Sequence, residues 1–149
     1  MTVSNSSASS SLNLNTTNLR NDLPKFNIKK PVILIEDDLV FAKSLIDYAH
    51  TTGILIEHFT SMSELGFIGN IKRYRAIILD FRLPNLNGLE IAEMCASLFH
   101  DLPVVLISNN LPTEEPWATN FANIHFRIAK SQGVNAIIEA IQNSMDAAL

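Results

Sequence analysis

Five side chains stand where short apolar runs give way to polar sequence. Glu36 and Asp37 follow Pro31-Val32-Ile33-Leu34-Ile35, Asp80 follows Ala76-Ile77-Ile78-Leu79, Ser108 follows Pro103-Val104-Val105-Leu106-Ile107, and Lys130 follows the run 124–129. Singly, a carboxylate in such a place is commonly a helix cap or a loop residue. Together the five make a site, because residues at the carboxyl ends of parallel strands converge on one crevice. Carboxylates held close repel one another, and a hard cation relieves that repulsion. Mg²⁺ prefers oxygen ligands in octahedral geometry and keeps several waters, so it suits such a site in company with a phosphate. The metal would neutralise incoming phosphoryl oxygens, and an aspartate would attack phosphorus to form an acyl phosphate. The lysine and the hydroxyl would hold the remaining oxygens.

Positioning these groups requires parallel strands, and the sequence alternates accordingly. The continuous branched run 31–35 suits a strand buried on both faces. Residues 39–50 then place Phe41, Leu45, Ile46 and Ala49 at helical spacing, with Asp38 able to cap the start and Gly53 to stop the end. A second strand is predicted over 54–59, and a short helix over 61–68 with Ser61 and Glu64 at capping-box spacing. The third strand covers 76–80 and a loop 81–87. The helix over 88–100 has Leu89, Ile91, Ala92, Cys95 and Leu98 on its apolar side. A fourth strand (103–108), a short helix (113–121), a fifth strand (124–129) and a closing helix (134–145, apolar at Ile137, Ile138 and Ile141) complete the pattern. Strands alternating with helices predict a doubly wound α/β fold. Its five-stranded parallel sheet should have the flavodoxin-like order 2-1-3-4-5, right-handed crossovers, and a ligand site at the carboxyl ends of strands 1 and 3.

The 149 residues are 47% hydrophobic and only 17% charged, enough for one core over most of the length. Residues 1–28, rich in Ser, Asn and Thr, lack the apolar surface to offset their ordering entropy and read as a disordered tail, leaving a domain over 29–149. A net charge of -4 does not attract a polyanion, so nucleic acid is not an expected partner. No apolar run approaches a membrane span and no signal peptide is visible, so no membrane partner is expected either. The lone Cys95 offers neither disulfide nor metal cluster, reads as a buried structural residue, and fits a reducing cytoplasm.

The site pattern resembles the receiver domain of two-component response regulators, the CheY-like superfamily. The likeness runs from about Lys30 to the C-terminus. Ile33-Leu34-Ile35-Glu36-Asp37-Asp38 matches the family's first strand and acidic pair. Asp80-Phe81-Arg82-Leu83-Pro84-Asn85-Leu86-Asn87-Gly88 matches its phosphoacceptor motif, and Lys130 lies 22 residues after Ser108, as in the family. The resemblance implies that Asp80 is the phosphoacceptor and that Glu36, Asp37, Asp80 and the backbone carbonyl of Arg82 hold Mg²⁺. It implies Ser108 as the switch hydroxyl and Lys130 as the partner of the phosphoryl group. Asp38 is assigned to helix capping. The donor would be a histidine kinase or histidine phosphotransfer protein. A downstream protein would dock on the face of the fourth helix, fifth strand and fifth helix, where Trp117, Phe121 and Arg127 lie. Such a domain is not an enzyme toward a separate substrate; it catalyses only its own phosphorylation and dephosphorylation.

The chain departs from the family pattern in places. Ser131 follows the lysine where proline is usual, and Asn109 follows the switch hydroxyl where a small residue is usual. Arg127 occupies the usual aromatic switch position with Phe126 one residue earlier, so either the register shifts or the aromatic switch is absent. The Asp80-to-Ser108 interval is slightly short, which points to a trimmed loop near His100 and Asp101. Trp117 and Phe121 are core residues by default, and a docking site if exposed. Arg82 and Asn110 are positions that would influence the acyl phosphate's lifetime. His50, His58, His100 and His125 show no metal-ligand spacing and read as surface or packing residues.

With no output domain after the last helix, the expectation is a single-domain regulator signalling through protein contacts. The alternative is a phosphorylation-independent binding module on the same fold. An aspartate-based phosphohydrolase would need an acid where Arg82 stands, and flavin binding would need a phosphate loop where Glu36-Asp37-Asp38 would repel the ligand.

Overall fold

The computed structural model describes residues 29–65, 73–86, 88–110 and 122–148. In chain order these form β1 (Val32–Ile35), α1 (Leu39–Thr51), β2 (Ile56–Phe59), a 3-10 turn (Met62–Leu65), β3 (Ala76–Asp80), α2 (Gly88–Ser97), β4 (Val104–Ser108), β5 (Ile124–Ala129), a second 3-10 turn (Lys130–Gln132) and α3 (Val134–Ala147). The five strands make one parallel sheet in the order β2-β1-β3-β4-β5, as the alternation predicts.

Every residue of β1, β3 and β4 is buried, which is why these strands read as unbroken apolar runs. Alternate side chains feed two cores. Val32, Leu34, Ile78, Val105 and Ile107 pack with Leu45 and Ala49 of α1 and with Ile137, Ile138 and Ile141 of α3. Ile33, Ile35, Ile77, Leu79 and Leu106 pack with Tyr74, Phe81, Leu83 and Phe99 on the other face. Both faces being covered, the strands can only present polar groups at their ends. Among the described residues no helix is long and apolar enough to cross a membrane.

The helix ends follow their local chemistry. Asp38 caps α1, its carboxylate accepting from Val40 N–H at 3.0 Å and Phe41 N–H at 3.1 Å. Gly53 stops it with φ 79°, donating its N–H to the His50 carbonyl at 3.1 Å. Ile54 donates to Ala49 O at 3.0 Å and so belongs to that closure, which is why β2 begins at Ile56 and not at 54. The capping contact predicted for Ser61 belongs instead to Thr60. Glu64 accepts the Thr60 N–H at 2.8 Å and its hydroxyl, while Ser61 Oγ lies 2.8 Å from Ser63 Oγ. α2 ends at Ser97, short of 100, because Phe99 and Leu102 turn into the core. α3 runs two residues past 145.

β5 carries a bulge. Val104 pairs with Ile124 but Val105 with Phe126, so His125 is the extra residue, and the register then runs regularly to Ser108 opposite Ala129. Phe126 therefore shares a face with Val105, and Arg127 shares the opposite face with Leu106. The aromatic residue is thus not brought into the place of Arg127. Both Phe126 and Arg127 are exposed. The tail 1–28, the end of the 61–68 helix, the 113–121 helix with Trp117 and Phe121, and the side chains of Leu89, Ile91, Ala92 and Cys95 lie outside what the structure describes.

Tyr74 reports on the packing beside β3. Burial and a hydrogen bond to Glu57 push its phenol up to about 12. The folded chain then keeps a proton that the unfolded chain loses between about pH 10 and 12, so stability falls as pH rises through that window. Denaturant unfolding at pH 9 and pH 11 is expected to show this drop, and Tyr74→Phe is expected to flatten it while costing about 1 kcal/mol near neutrality.

Candidate functional site

The register between β1 and β3 sets the site. Ile35 stands opposite Leu79, and Glu36 and Asp80 come next on their strands, so two carboxylates emerge side by side. Both are buried, with Glu36 fully so and Asp80 4% exposed. Asp37, one residue on, is exposed. One carboxylate oxygen from each of Glu36, Asp37 and Asp80 falls within 4.8 Å of the others.

Each buried carboxylate divides its oxygens between its own loop and one shared cation. Glu36 Oε1 accepts the Asp38 N–H at 3.0 Å, and Asp80 Oδ1 accepts the Arg82 N–H at 3.0 Å. Lys130 Nζ lies 2.7 Å from Glu36 Oε2 and 3.1 Å from Asp80 Oδ2, with its side chain 8% exposed. The Asp80 contact is a hydrogen bond, whereas Glu36 Oε2 receives the ammonium without an aligned one and is otherwise unpartnered. Burial pushes the Glu36 carboxyl up to about 7, with the Asp80 charge adding to it and Lys130 and the Asp38 N–H opposing. Burial alone would lower Lys130, but its contacts with Glu36 and Asp80 prevail and raise it. Burial therefore works against the Glu36 charge, while both carboxylates favour the charged form of Lys130.

Lys130 keeps its place without a following proline. It opens the 3-10 turn Lys130–Gln132, and its carbonyl accepts the Gly133 N–H at 3.1 Å. Gly133 has φ 94°, a backbone that side chains rarely tolerate. Ser108 is fully buried at the end of β4, but its hydroxyl is committed to its own turn, donating to the Asn110 carbonyl at 3.0 Å. The side chains of Arg82, Asn109 and Asn110 are exposed.

Two contacts were not legible beforehand. The ring of Phe41, read only as a core position, lies with its centroid 4.9 Å from Lys130 Nζ. His58, a half-buried packing residue, places Nε2 2.8 Å from the Glu36 carbonyl and so tethers the end of β1 to β2. Both depend on which strand neighbours which, and neither spacing nor residue type encodes that.

The donor set fits a hard divalent cation. It offers three clustered carboxylates, one of them with a buried oxygen that lacks an aligned donor, beside an Arg82 backbone held against Asp80. Asp37 is free to turn toward such an ion, since among the described residues it has no ion pair.

Comparison with known proteins agrees with this geometry. Residues 32–142 match the model of the response regulator receiver domain. The response regulator protein TodT of Pseudomonas putida is 26% identical over 81 residues, 53% of this chain and 35% of that protein. The transcriptional regulatory protein QseB of Haemophilus influenzae is 30% identical over 77 residues, 52% of this chain and 35% of that protein. The matched region thus spans about a third of the length of these curated relatives. Among solved structures, the CheY-like receiver domain protein of Methanospirillum hungatei superposes with a TM-score of 0.68 at 19% identity, covering 80% of this chain and 96% of that one.

Removing the shared cation should expose the cost of the buried acids. Lys130→Met is expected to lose about 3 kcal/mol of unfolding free energy in chelator, since a buried charge is left unpaired. Gly133→Ala is expected to lose about 1 to 2 kcal/mol through its positive φ. Urea titrations of the two variants beside the parent check both values.

Proposed function

The chain belongs to the response regulator receiver domain family of two-component systems, and on that premise we propose that it is phosphorylated on Asp80 in the presence of Mg²⁺. The contact between the Lys130 ammonium and Asp80 Oδ2, 3.1 Å, carries the reading. It places a permanent cation beside the oxygen that an incoming phosphoryl group would approach. Asp80 is the better nucleophile of the acids. Its Oδ1 is fixed by the Arg82 N–H, which orients the carboxylate, and it is less enclosed than Glu36.

Glu36, Asp37, Asp80 and the Arg82 carbonyl would hold Mg²⁺, which when bound supplies charge neutralisation for the phosphoryl oxygens. The remaining work falls to the chain itself. Asp80 attacks phosphorus in line with the donor's leaving group. Lys130 shifts its pairing from carboxylate to phosphoryl oxygen, and Ser108 must leave Asn110 to reach it. This is positioning and electrostatics with no proton to relay at the acceptor. The donor is a phosphohistidine on a kinase or phosphotransfer protein, and the output is a change in protein contacts. The chain acts on no separate substrate, and a cytoplasmic setting suits such a donor.

The second reading, a phosphorylation-independent module, draws on the Ser108–Asn110 hydrogen bond and on Arg127 standing where the family has an aromatic residue. One experiment separates the two. The protein is incubated with phosphoramidate and Mg²⁺ and its intact mass recorded beside Asp80→Asn. A single phosphoryl adduct on the parent alone is expected. An unmodified parent, or an adduct that survives in Asp80→Asn, defeats the reading. In the same buffer, Mg²⁺ at about ten times its Kd should stabilise the parent by about 1.4 kcal/mol, and Asp37→Asn should weaken that gain.

A further inference from the structure

Lys130 has a third neighbour besides its two carboxylates. Its ammonium lies 4.9 Å from the centroid of the Phe41 ring, inside the range at which a ring face attracts a cation. Phe41 comes from the first turn of α1. Its own N–H is tied to the Asp38 carboxylate at 3.1 Å, so the start of its helix is held by the loop that carries Glu36 and Asp37. Its half-buried side chain also packs against the core under β1 and β4. The backbone of Phe41 is therefore tied at the start of the helix, and its side chain is packed against the core.

Lys130 needs such an anchor. Its stem is long and flexible, and its ammonium is strongly hydrated when free. Two carboxylates compete for it, and Glu36 is the nearer, at 2.7 Å against 3.1 Å for Asp80. A lysine drawn wholly to Glu36, or out into water, leaves the oxygen of Asp80 without its cation. A ring face attracts a cation while offering no lone pair to compete for its N–H donors, and it displaces water from that side.

We infer that Phe41 is a positioning residue for phosphoryl transfer to Asp80, its ring holding the Lys130 ammonium beside the Asp80 carboxylate. The inference rests on Asp80 being the phosphoacceptor. In that step an Asp80 oxygen bonds to phosphorus as the donor's bond to phosphorus breaks, and the donor leaves with the electron pair. Lys130 stays protonated throughout, and Phe41 touches neither the phosphoryl group nor the nucleophile. Its whole effect must pass through Lys130.

A double-mutant cycle tests this. Phosphorylation by phosphoramidate with Mg²⁺ is followed by intact mass in the parent, Phe41→Leu, Phe41→Tyr, Lys130→Met and the Phe41→Leu/Lys130→Met pair. Phe41→Leu is expected to slow the reaction about tenfold, and Phe41→Tyr to stay within about twofold of the parent. Phe41→Leu should add no further slowing once Lys130 is gone. A simple loss of packing would slow both backgrounds alike, and since tyrosine keeps the ring's volume the separation rests on the Lys130→Met background. Unfolding in chelator gives a readout independent of the reaction, in which the two substitutions should be non-additive by about threefold in the unfolding equilibrium constant. Where Phe41→Leu does not fold, Phe41→Met takes its place. A parent rate in Phe41→Leu, or equal slowing in both backgrounds, overturns the inference while leaving Asp80 as acceptor. An unphosphorylated parent overturns both.

Discussion

Glu36 and Asp80 end neighbouring strands one step beyond the pair Ile35 and Leu79, and the parallel register leaves them no way to separate. The strands beneath them are buried on both faces, so water cannot reach around to solvate the charges. Two carboxylates in that position destabilise the fold unless a cation is shared between them. Lys130 is that cation in this structure, reaching in from the end of β5 across the tip of β4. Burial lifts Glu36 to about 7, with the Asp80 charge adding to the lift and the ammonium opposing it. A site built this way has a standing demand for positive charge at the carboxyl edge of the sheet.

The loops around the site are arranged to serve this demand. Glu36 and Asp80 each give one oxygen to a backbone N–H two residues ahead, which fixes the carboxylate plane and turns the other oxygen toward Lys130. Asp38 uses its carboxylate on the first turn of α1, so the acidic run splits into one buried acid, one exposed acid and one cap. Gly133 lets the chain leave the Lys130 turn at a positive φ and enter α3. Ser108 spends its hydroxyl on Asn110. The two buried carboxylates are thus oriented by contacts local to their loops, while the strand register brings them together and Lys130 reaches them from another strand.

The edge strand β5 is less regular than the strands that carry the acidic crevice. The bulge at His125 inverts the facing of β5 between Ile124 and Phe126, then leaves Arg127 opposite Leu106 and Ile128 opposite Ile107. An arginine at that place keeps its charge in solvent, whereas an aromatic ring there would gain by burial. The two orientations on which an aromatic switch depends, exposed and buried, are therefore not both open to this side chain.

How much of this could be read in advance depends on the range of the interaction. The strands β1, β3 and β4 were legible because burial on both faces leaves an uninterrupted apolar run, and the site residues were legible because each such run ends in one. Asp38 as a cap was equally visible, its partners being two and three residues away. The Thr60–Glu64 contact was misplaced by one residue, since Thr60 and Ser61 are chemically equivalent as caps and only the backbone path chooses between them. The start of β2 was set two residues early because Ile54 and Leu55 look like strand, while Ile54 is claimed by the end of α1. The bulge in β5 and the Phe41 contact with Lys130 were invisible for a different reason. An extra residue in an edge strand changes no composition, and an aromatic residue at helical spacing reads as core whether or not a cation from 89 residues along the chain lies against it. Local chemistry can be read from residue order. Contacts between the ends of different strands require the sheet order first, and side-chain geometry after that.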